Sequence, residues 1–485
     1  MKWKSPQLIT DFAPPFDANR RRFMRTTTLG AACMASAPLM ASTGLLGAST
    51  GLVDINGRPL ANTVNATQSP AEFSAKLMRE SLLASLNLVP AVGGLLSYIG
   101  ALFIPSPGQT PDQMWRKIVD ARISEALYRK VQRDLVGLTE SADKYRKIVS
   151  TGDMNAIREA SIALDFDFTN IVPGFQIPGE EISTLPLFVI AATMHLCLLR
   201  DMTLNGKAID LKETLVEIYR QDLKKRISTY TSYVDRHVAA AIDKAKSSNP
   251  WSDTPDRRNS PLSPMLETKA AYQLSVLDVQ ATWWAFDAAQ FPGRIRVSLT
   301  REIYAPIAGW WGVDSPVPNY IPVWVSRIDP RPISLRMWER KLTWRTRFMN
   351  GFSMDYANDS DQSGTFSGDM YTLDLRNRYI DEVSVYSSVG ISRMIFRLND
   401  GKTRTFGREP EDIIDRRLTY RYADHYLSSL RSAGTGLKGS AAEGAVCGCL
   451  LGFSLIDNVA KSISPQAFDQ IAPKMAPRLL DWVAS

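Results

Sequence analysis

Residues 185–204 read LPLFVIAATMHLCLLRDMTL, and between Pro186 and Leu199 only Thr193 and His195 are polar. A helix that is apolar on every side leaves no face for water, so it belongs at the centre of a bundle or in a bilayer. The stretches around it can supply the bundle. Residues 209–246 give a long charged helix with Leu215, Ile218, Leu223, Ile227, Tyr230 and Val234 turned inward. Residues 112–150 predict a long amphipathic helix or a bent pair, with Trp115, Ile118, Ile123, Leu127, Val131, Leu135 and Leu138 as its stripe. A shorter helix over about 153–172 carries Ile157, Ile162, Phe166 and Ile171, and a last one covers about 265–285. Val89 to Ile104 is apolar all round, but its 16 residues fall short of a full span. It reads as a buried helix or an insertion-capable segment, preceded by Phe73, Leu77, Leu82, Leu83 and Leu86 at helical spacing. Several amphipathic helices therefore surround one apolar helix, hiding a membrane-competent hairpin.

A chain of 485 residues is too long for one compact core, so two or three domains are expected. Its 45% hydrophobic and 22% charged residues are ordinary globular values and exclude a largely disordered or collagen-like chain. Cys33, Cys197, Cys447 and Cys449 are too few for a disulfide scaffold, and His195, His237 and His425 lie too far apart for a histidine-rich metal site. A net charge of +7 and a pI near 9.1 invite a nucleic-acid reading. The location of the charges argues against it. Residues 1–44 hold Lys2, Lys4, Arg20, Arg21, Arg22 and Arg25 against Asp11 and Asp17, which is +4 and leaves +3 for the rest. That first segment joins a basic cluster to an uncharged run from Thr26 to Gly44, the layout of an export signal. Asn19 to Arg25, with Arg20, Arg21 and Phe23 at the key positions, resembles a twin-arginine signal, Ser-Arg-Arg-x-Phe-Leu-Lys. Residues 45–70 read as a Ser/Thr/Asn/Gly-rich linker.

From about residue 297 the texture changes to short strands. Thr343 to Tyr356 alternates in part, Asn358 to Gly368 reads as a polar loop, and strand runs follow near 371–375, 380–386 and 391–398. Asn399-Asp400-Gly401-Lys402 is a hairpin turn with a return strand from Thr403, and 444–456 is a further run. Regular strands with turn signals suggest a sandwich, a barrel or a prism.

Three blocks carry a family resemblance. Leu185-Pro186-Leu187, Ala191 to Leu196 and Leu198 to Asp201 resemble the central helix of the insecticidal delta-endotoxins (Cry toxins), LPLYAQAANLHLLLLRD. Ser275 to Val279, Phe291-Pro292 and Val297 to Tyr304 are similar to that family's TVLDIVALFP and QLTREIYT. Arg331 to Leu335, ahead of Trp338, resembles RPPHLFDW. The blocks stand in family order over residues 70–345. The resemblance implies a multidomain α and β protein: a seven-helix bundle around a central apolar helix over 71–296, then an all-β prism over 297–455. Tyr379 to Gly407 also resembles jacalin-like lectins, which are β-prisms, but Gly444 to Gly448 lacks the Asp of the jacalin GxxxD sugar motif. Residues 456–485 read as a short helical tail, too few for the jelly-roll domain of three-domain members.

On this resemblance the inserting helix carries Leu187, Val189, Ala192, His195, Leu198, Arg200 and Asp201. Receptor-binding loops are expected at Asn358, Asp359 and Asp361 and at Asn399, Asp400 and Lys402. The residues alone have plainer readings: His195 as a satisfied core histidine, and Arg200 and Asp201 as a helix-end ion pair or cap. Thr300-Arg301-Glu302 reads as a join between domains, and Cys447 and Cys449 as small buried residues rather than a metal clip. No GxSxG, HExxH, P-loop or GxGxxG motif is present, so neither an enzyme nor a cofactor or metal is expected. The expected partners are a target-cell membrane, a glycan or protein receptor on the host surface and further copies of the chain in an oligomeric pore, with no nucleic acid. The competing reading is a secreted carbohydrate-binding adhesin that never inserts.

Overall fold

The computed structural model describes residues 61–65, 78–79, 82, 92–105, 108–119, 123–248, 262–293, 297, 299, 301–309, 331–341, 347–388, 390–407, 416–434 and 443–456. Arg20, Arg21 and Phe23, with the rest of the export-signal reading, lie outside these residues, as does the tail beyond 456.

The helical part contains α1 (Gly94–Ala101), α2 (Pro111–Val119), α3 (Glu125–Thr151), α4 (Met154–Ile171), α5 (Glu181–Asn205), α6 (Glu213–Ser247) and α7 (Leu262–Tyr272). The stretch 112–150 is a bent pair. Ser124 starts its second helix by accepting the Leu127 N–H on its side chain, and Gly152 ends it at φ 72°. Asp153 then caps α4 by accepting the N–H groups of Asn155 and Ala156. The apolar stretch 89–104 contributes only the eight residues of α1. This helix lies close on α3, since a Cβ on Gly100 would come within 3.1 Å of Ala142 Cβ. The last helix is not uniform. After Tyr272 it widens into a π turn at Gln273–Leu277 and tightens into a 3₁₀ turn at Trp283–Phe286.

α5 is the axis of the bundle, with every residue from Thr184 to Thr203 buried. Helices α1, α3, α4 and α6 contribute the surrounding core, including Leu96, Ile99, Leu135, Leu138, Leu164, Phe168, Leu223 and Val234. Burying such side chains contributes about 1.5–3 kcal/mol each.

The second half is a prism of three sheets. One runs β1-β11-β8-β9-β10, with β1 (Ala61–Asn65), β8 (Ile380–Ser387), β9 (Ile391–Leu398), β10 (Thr403–Gly407) and β11 (Arg416–Arg421). A second holds β12 (His425–Ser432), β13 (Gly448–Leu455), β2 (Glu302–Tyr304) and β3 (Ala308–Gly309). The third runs β6-β5-β4-β7, with β4 (Ser334–Lys341), β5 (Arg347–Asp355), β6 (Ser360–Gly364) and β7 (Asp369–Asp374). All three turn side chains into one core, for example Val385 and Phe396, Leu427 and Phe453, Met337 and Phe352. β13 is buried at every residue, because its outer face is covered by helical residues: Leu262, Met265 and Leu266 pack with Tyr304 and Leu450.

Two expectations are corrected. Within the presumed linker, Ala61–Asn65 is a strand, paired in parallel with Arg417–Arg421; Thr63 and Val64 are β-branched residues suited to it. Within the presumed loop 358–368, Ser360–Gly364 is a strand, because hydrogen bonding to β5 outweighs a polar composition.

Candidate functional site

The α4–α5 hairpin is assembled by local chemistry. Pro173 sits in a 3₁₀ turn at Val172–Phe175, and Gly179, at φ 85°, reverses the chain before α5. Gly174 sits so close to the Asp134 carboxylate of α3 that a side chain there would collide with it. Burial pushes the Asp134 carboxyl above its usual range. Thr184 fixes the first turn of α5 by donating to the carbonyls of Phe175 and Glu180 at 2.7 and 3.0 Å.

Leu187, Val189, Ala192 and Leu198 of α5 are buried in the bundle core. His195 is fully buried and bridges two neighbours. Its Nε2 lies 3.0 Å from the Asp165 carboxylate of α4 and its Nδ1 2.9 Å from the Tyr230 hydroxyl of α6. A carboxylate only accepts, so in the neutral ring Nε2 carries the hydrogen and Nδ1 accepts from Tyr230. Burial raises the Tyr230 hydroxyl to about 12, which keeps it a donor. Thr193 donates to Val189 O and accepts from Trp283 Nε1 at 2.9 Å.

Arg200 and Asp201 are not an ion pair with each other. Arg200 donates to the carbonyls of Ala285, Phe286 and Phe291 at 2.8–3.2 Å and of Gly293 at 3.5 Å, capping the chain that leaves the bundle. Asp201 accepts from Gly93 N at 2.5 Å, Tyr145 Oη at 3.2 Å and Asn205 Nδ2 at 2.6 Å, so it anchors the start of α1. Consecutive helix positions point about 100° apart, so adjacent side chains serve opposite flanks. The cap reading describes them better than the ion-pair reading.

A second polar centre joins the bundle to the prism. Asp278 is fully buried and accepts from Arg79 (3.0 Å), from Nε and Nη2 of Arg301 (2.9 and 2.5 Å) and from Gln273 (2.9 Å). The two guanidiniums outweigh burial and hold its carboxyl well below the usual range. Arg301 also meets His425 Nε2 at 2.5 Å, while His425 Nδ1 donates to Ala423 O at 2.6 Å. Burial and the Arg301 charge push the His425 imidazole well below its ordinary value. Arg301, read from sequence as part of a join, thus contacts both halves.

The expected prism loops differ from each other. Asn358 and Asp359 form the β5–β6 turn, where Tyr356 N donates to Asp359 O at 2.7 Å. Asp361 lies in β6, where its Oδ2 accepts from Arg431 Nε at 2.7 Å and lies 2.7 Å from Nη2, so it is a strand residue and not a loop tip. Asn399, Asp400 and Lys402 do form an exposed hairpin turn, with Gly401 at φ 79°. Asp400 accepts the Lys402 N–H at 3.0 Å. Sequence reading missed Asp165, Tyr230, Arg79 and Asp278 as partners. Two of them had a signal: Asp278 by its place in a quoted block, and Tyr230 by its inward position on the helix stripe. Among the described residues no group of three or more His, Cys, Asp or Glu is placed to hold a metal.

Residues 82–287 match the family model described as delta endotoxin, N-terminal domain. Less than half of the chain carries this match, and over those residues it is similar to the delta endotoxins. Its sequence relatives include the pesticidal crystal protein Cry19Ba of Bacillus thuringiensis subsp. higo, 26% identical over 243 residues, covering 46% of this chain and 34% of the relative. Cry1Ia of Bacillus thuringiensis subsp. kurstaki is 24% identical over 259 residues, covering 47% and 35%. The chain therefore spans about a third of the length of the curated relatives it matches. The fold is shared with the Bacillus thuringiensis insecticidal crystal protein Cry7Ca1, at a TM-score of 0.62 and 16% identity over 80% of this chain and 75% of that one. It is shared also with PirB, at a TM-score of 0.60 and 14% identity over 81% and 96%. This likeness of fold extends past the bundle into the prism.

Proposed function

We propose that the chain is an exported pore-forming toxin whose prism docks on a target-cell surface and whose α4–α5 hairpin enters the bilayer. The observation that carries this reading is α5 itself. It is the one described helix long and apolar enough to cross a membrane, and in the bundle it is wrapped on all sides. Its 25 residues extend about 38 Å, against a hydrocarbon core of about 30 Å. α4 packs one face on α5, and its exposed face mixes Asn155, Glu159, Thr169 and Asn170 with Ile162 and Phe166. Within the hairpin four polar side chains keep a partner after release. Thr184, Thr193 and Thr203 donate to carbonyls of their own helix, and His195 keeps Asp165. The contacts that must break are those leaving the hairpin, to Tyr230, Trp283, Gly93, Tyr145 and the 285–293 carbonyls.

The functional division is bundle 71–296 and prism 297–455, with export by a twin-arginine signal through Arg20, Arg21 and Phe23 and several copies assembling in the pore. Lysine replacing both Arg20 and Arg21 is expected to abolish export of the folded chain. The decisive experiment is dye release from vesicles made of target-cell lipids, with a reducible disulfide tying α5 to α6 at facing positions whose Cβ atoms lie within disulfide reach. A pore former is silent when oxidised and active when reduced. Equal release in both states, or silence in both with receptor supplied, counts against insertion and favours a non-inserting adhesin.

A further inference from the structure

The exposed apolar side chains of the bundle gather on one flank. Among the described residues six large apolar side chains are exposed, and four of them lie on two helices: Met154, Ile162 and Phe166 on α4 and Ile218 on α6. Phe166 is 69% exposed, Ile218 59% and Ile162 42%. Helical periodicity sets the direction each takes. α4 turns Ile157, Ser161, Leu164 and Phe168 into the bundle, so Ile162 and Phe166, one turn apart, stand on its far side. α6 turns Val216, Tyr219 and Leu223 inward, and Ile218 points away from them.

The two helices lie side by side. At their starts Arg158 of α4 reaches the Asp210 carboxylate, just ahead of α6, at 3.1 Å. Further along, burial and then the Asp165 charge raise the Tyr219 hydroxyl to about 12, so Asp165 of α4 lies near Tyr219 of α6. Phe166 and Ile218 are the sequence neighbours of these two residues. Both therefore stand about two turns beyond the Arg158–Asp210 bridge and face outward. Glu159 and Lys212, both exposed, stand close to the bridge itself.

The charges on this flank are sorted by helix. Several are matched within the chain: Lys207 with Glu213 at 2.6 Å, Arg220 with Glu217, and Arg226 with Asp222 at 3.3 Å. What is left over is acidic on α4 and basic on α6. Among the described residues Glu159 has no cation partner, and Lys212, Lys224 and Lys225 have no carboxylate partner. Each helix thus offers, beside its apolar residues, the charge that the other lacks. Lipid tails match this flank poorly, because α4 interleaves Asn155, Glu159, Thr169 and Asn170 with its apolar residues. A second copy matches it. With a twofold axis along the helices, α4 of each copy lies on α6 of the other at the same height. Phe166 then packs on Ile218 of the partner copy, and Glu159 comes beside its Lys212. α4 is about 27 Å long and two adjacent helices are about 20 Å wide, so the flank offers about 500 Å² per copy. A pair buries about 1,000 Å², the lower edge of specific interfaces, so the association is expected to be weak and reversible.

We propose that the outer flank of α4 and α6 docks a second copy of this chain in water, as a twofold pair. This goes beyond the pore reading, because it concerns the intact bundle before any bilayer is met. The pair covers Ile162 and Phe166 for as long as α4 stays in the bundle.

The test is sedimentation equilibrium of the intact chain without lipid, over a hundredfold span of micromolar concentrations. A monomer–dimer equilibrium is expected, weakened at least tenfold by Phe166→Ser and unchanged by Phe366→Ser, which removes an exposed aromatic from the prism instead. Phe166 is exposed, so its variant should melt at the wild-type temperature. Glu159→Lys and Lys212→Glu should each weaken the pair several-fold, and both changes in one chain should restore it, because the two charges have exchanged helices. A chain that stays monomeric throughout, a dimer that survives Phe166→Ser, or a double reversal no tighter than the single ones overturns the assignment. A monomer whose vesicle binding is lost with Phe166→Ser also overturns it and gives the flank to lipid. A dimer of the expected kind that releases no dye keeps this surface and removes the pore reading, and dye release from a chain that never pairs does the reverse.

Discussion

The polar groups on α5 and those at Asp278 are buried to a similar degree but are held in different ways. On α5, Arg200 is met by backbone carbonyls and Asp201 by an N–H, a phenol and an amide; among the described residues neither has an ion-pair partner. At the junction, one carboxylate sits between two guanidiniums. Dipoles can be replaced by water or headgroups one at a time, whereas a buried counter-charge cannot be removed without leaving its partner stranded. The contrast suits a helix meant to leave and a joint meant to stay.

The strongest way to break this comparison is Asp278→Ala. It should cost about 3–5 kcal/mol in urea unfolding, because Arg79 and Arg301 lose their buried counter-charge. A cost under about 1 kcal/mol would mean the junction is no firmer than the rest. Arg200→Met comes next, at about 1.5–3 kcal/mol for the lost charge-assisted bonds. Combined with Asp201→Asn, its effect should be additive within about 0.5 kcal/mol, since the two side chains serve different partners. A larger coupling would restore the ion-pair reading.

Acid titration sharpens the contrast between two carboxyls near the end of the bundle. Asp278 has a depressed value in the folded state. Its contribution is present above about pH 4 and is lost as pH falls below that. Asp235 accepts from Gln280 at 3.2 Å, and burial raises it to about 6. Between about pH 4 and 6 the folded chain then holds a proton that the unfolded chain has released, and stability falls as pH rises. Asp235→Asn should flatten that slope and add about 1–2 kcal/mol at pH 7, measured as the unfolding midpoint against pH. The smallest effect is Tyr230→Phe, at about 0.5–1.5 kcal/mol for one bond to His195. Under the pore reading it should also hasten dye release, because it loosens a contact that leaves the hairpin. Unchanged kinetics would place the barrier elsewhere.

The bundle was legible because periodicity and burial agree there: the apolar run from Pro186 to Leu199 could only be wrapped or inserted. The bends were legible at Pro173-Gly174 and Gly179, where backbone chemistry is local. What escaped was decided by partners distant in sequence. Nothing around Ser360–Gly364 looks like a strand until β5 lies beside it, and Asp361 looks like a loop tip until Arg431 meets it. The pairing of His195 with Asp165 and Tyr230 depends on three helices meeting, and no spacing along one helix encodes that.

The edge strand β1 has a consequence for the order of assembly. It precedes the whole bundle in sequence, yet its hydrogen-bonding partner β11 follows most of the prism. During synthesis Ala61–Asn65 must wait, unpaired, until Arg416–Arg421 has emerged, while the intervening helices, rich in local contacts, can already form. Joining the two strands closes a loop that contains the entire bundle. That sheet is therefore finished last, and its completion marks the moment when the start of the chain becomes bound to its far end.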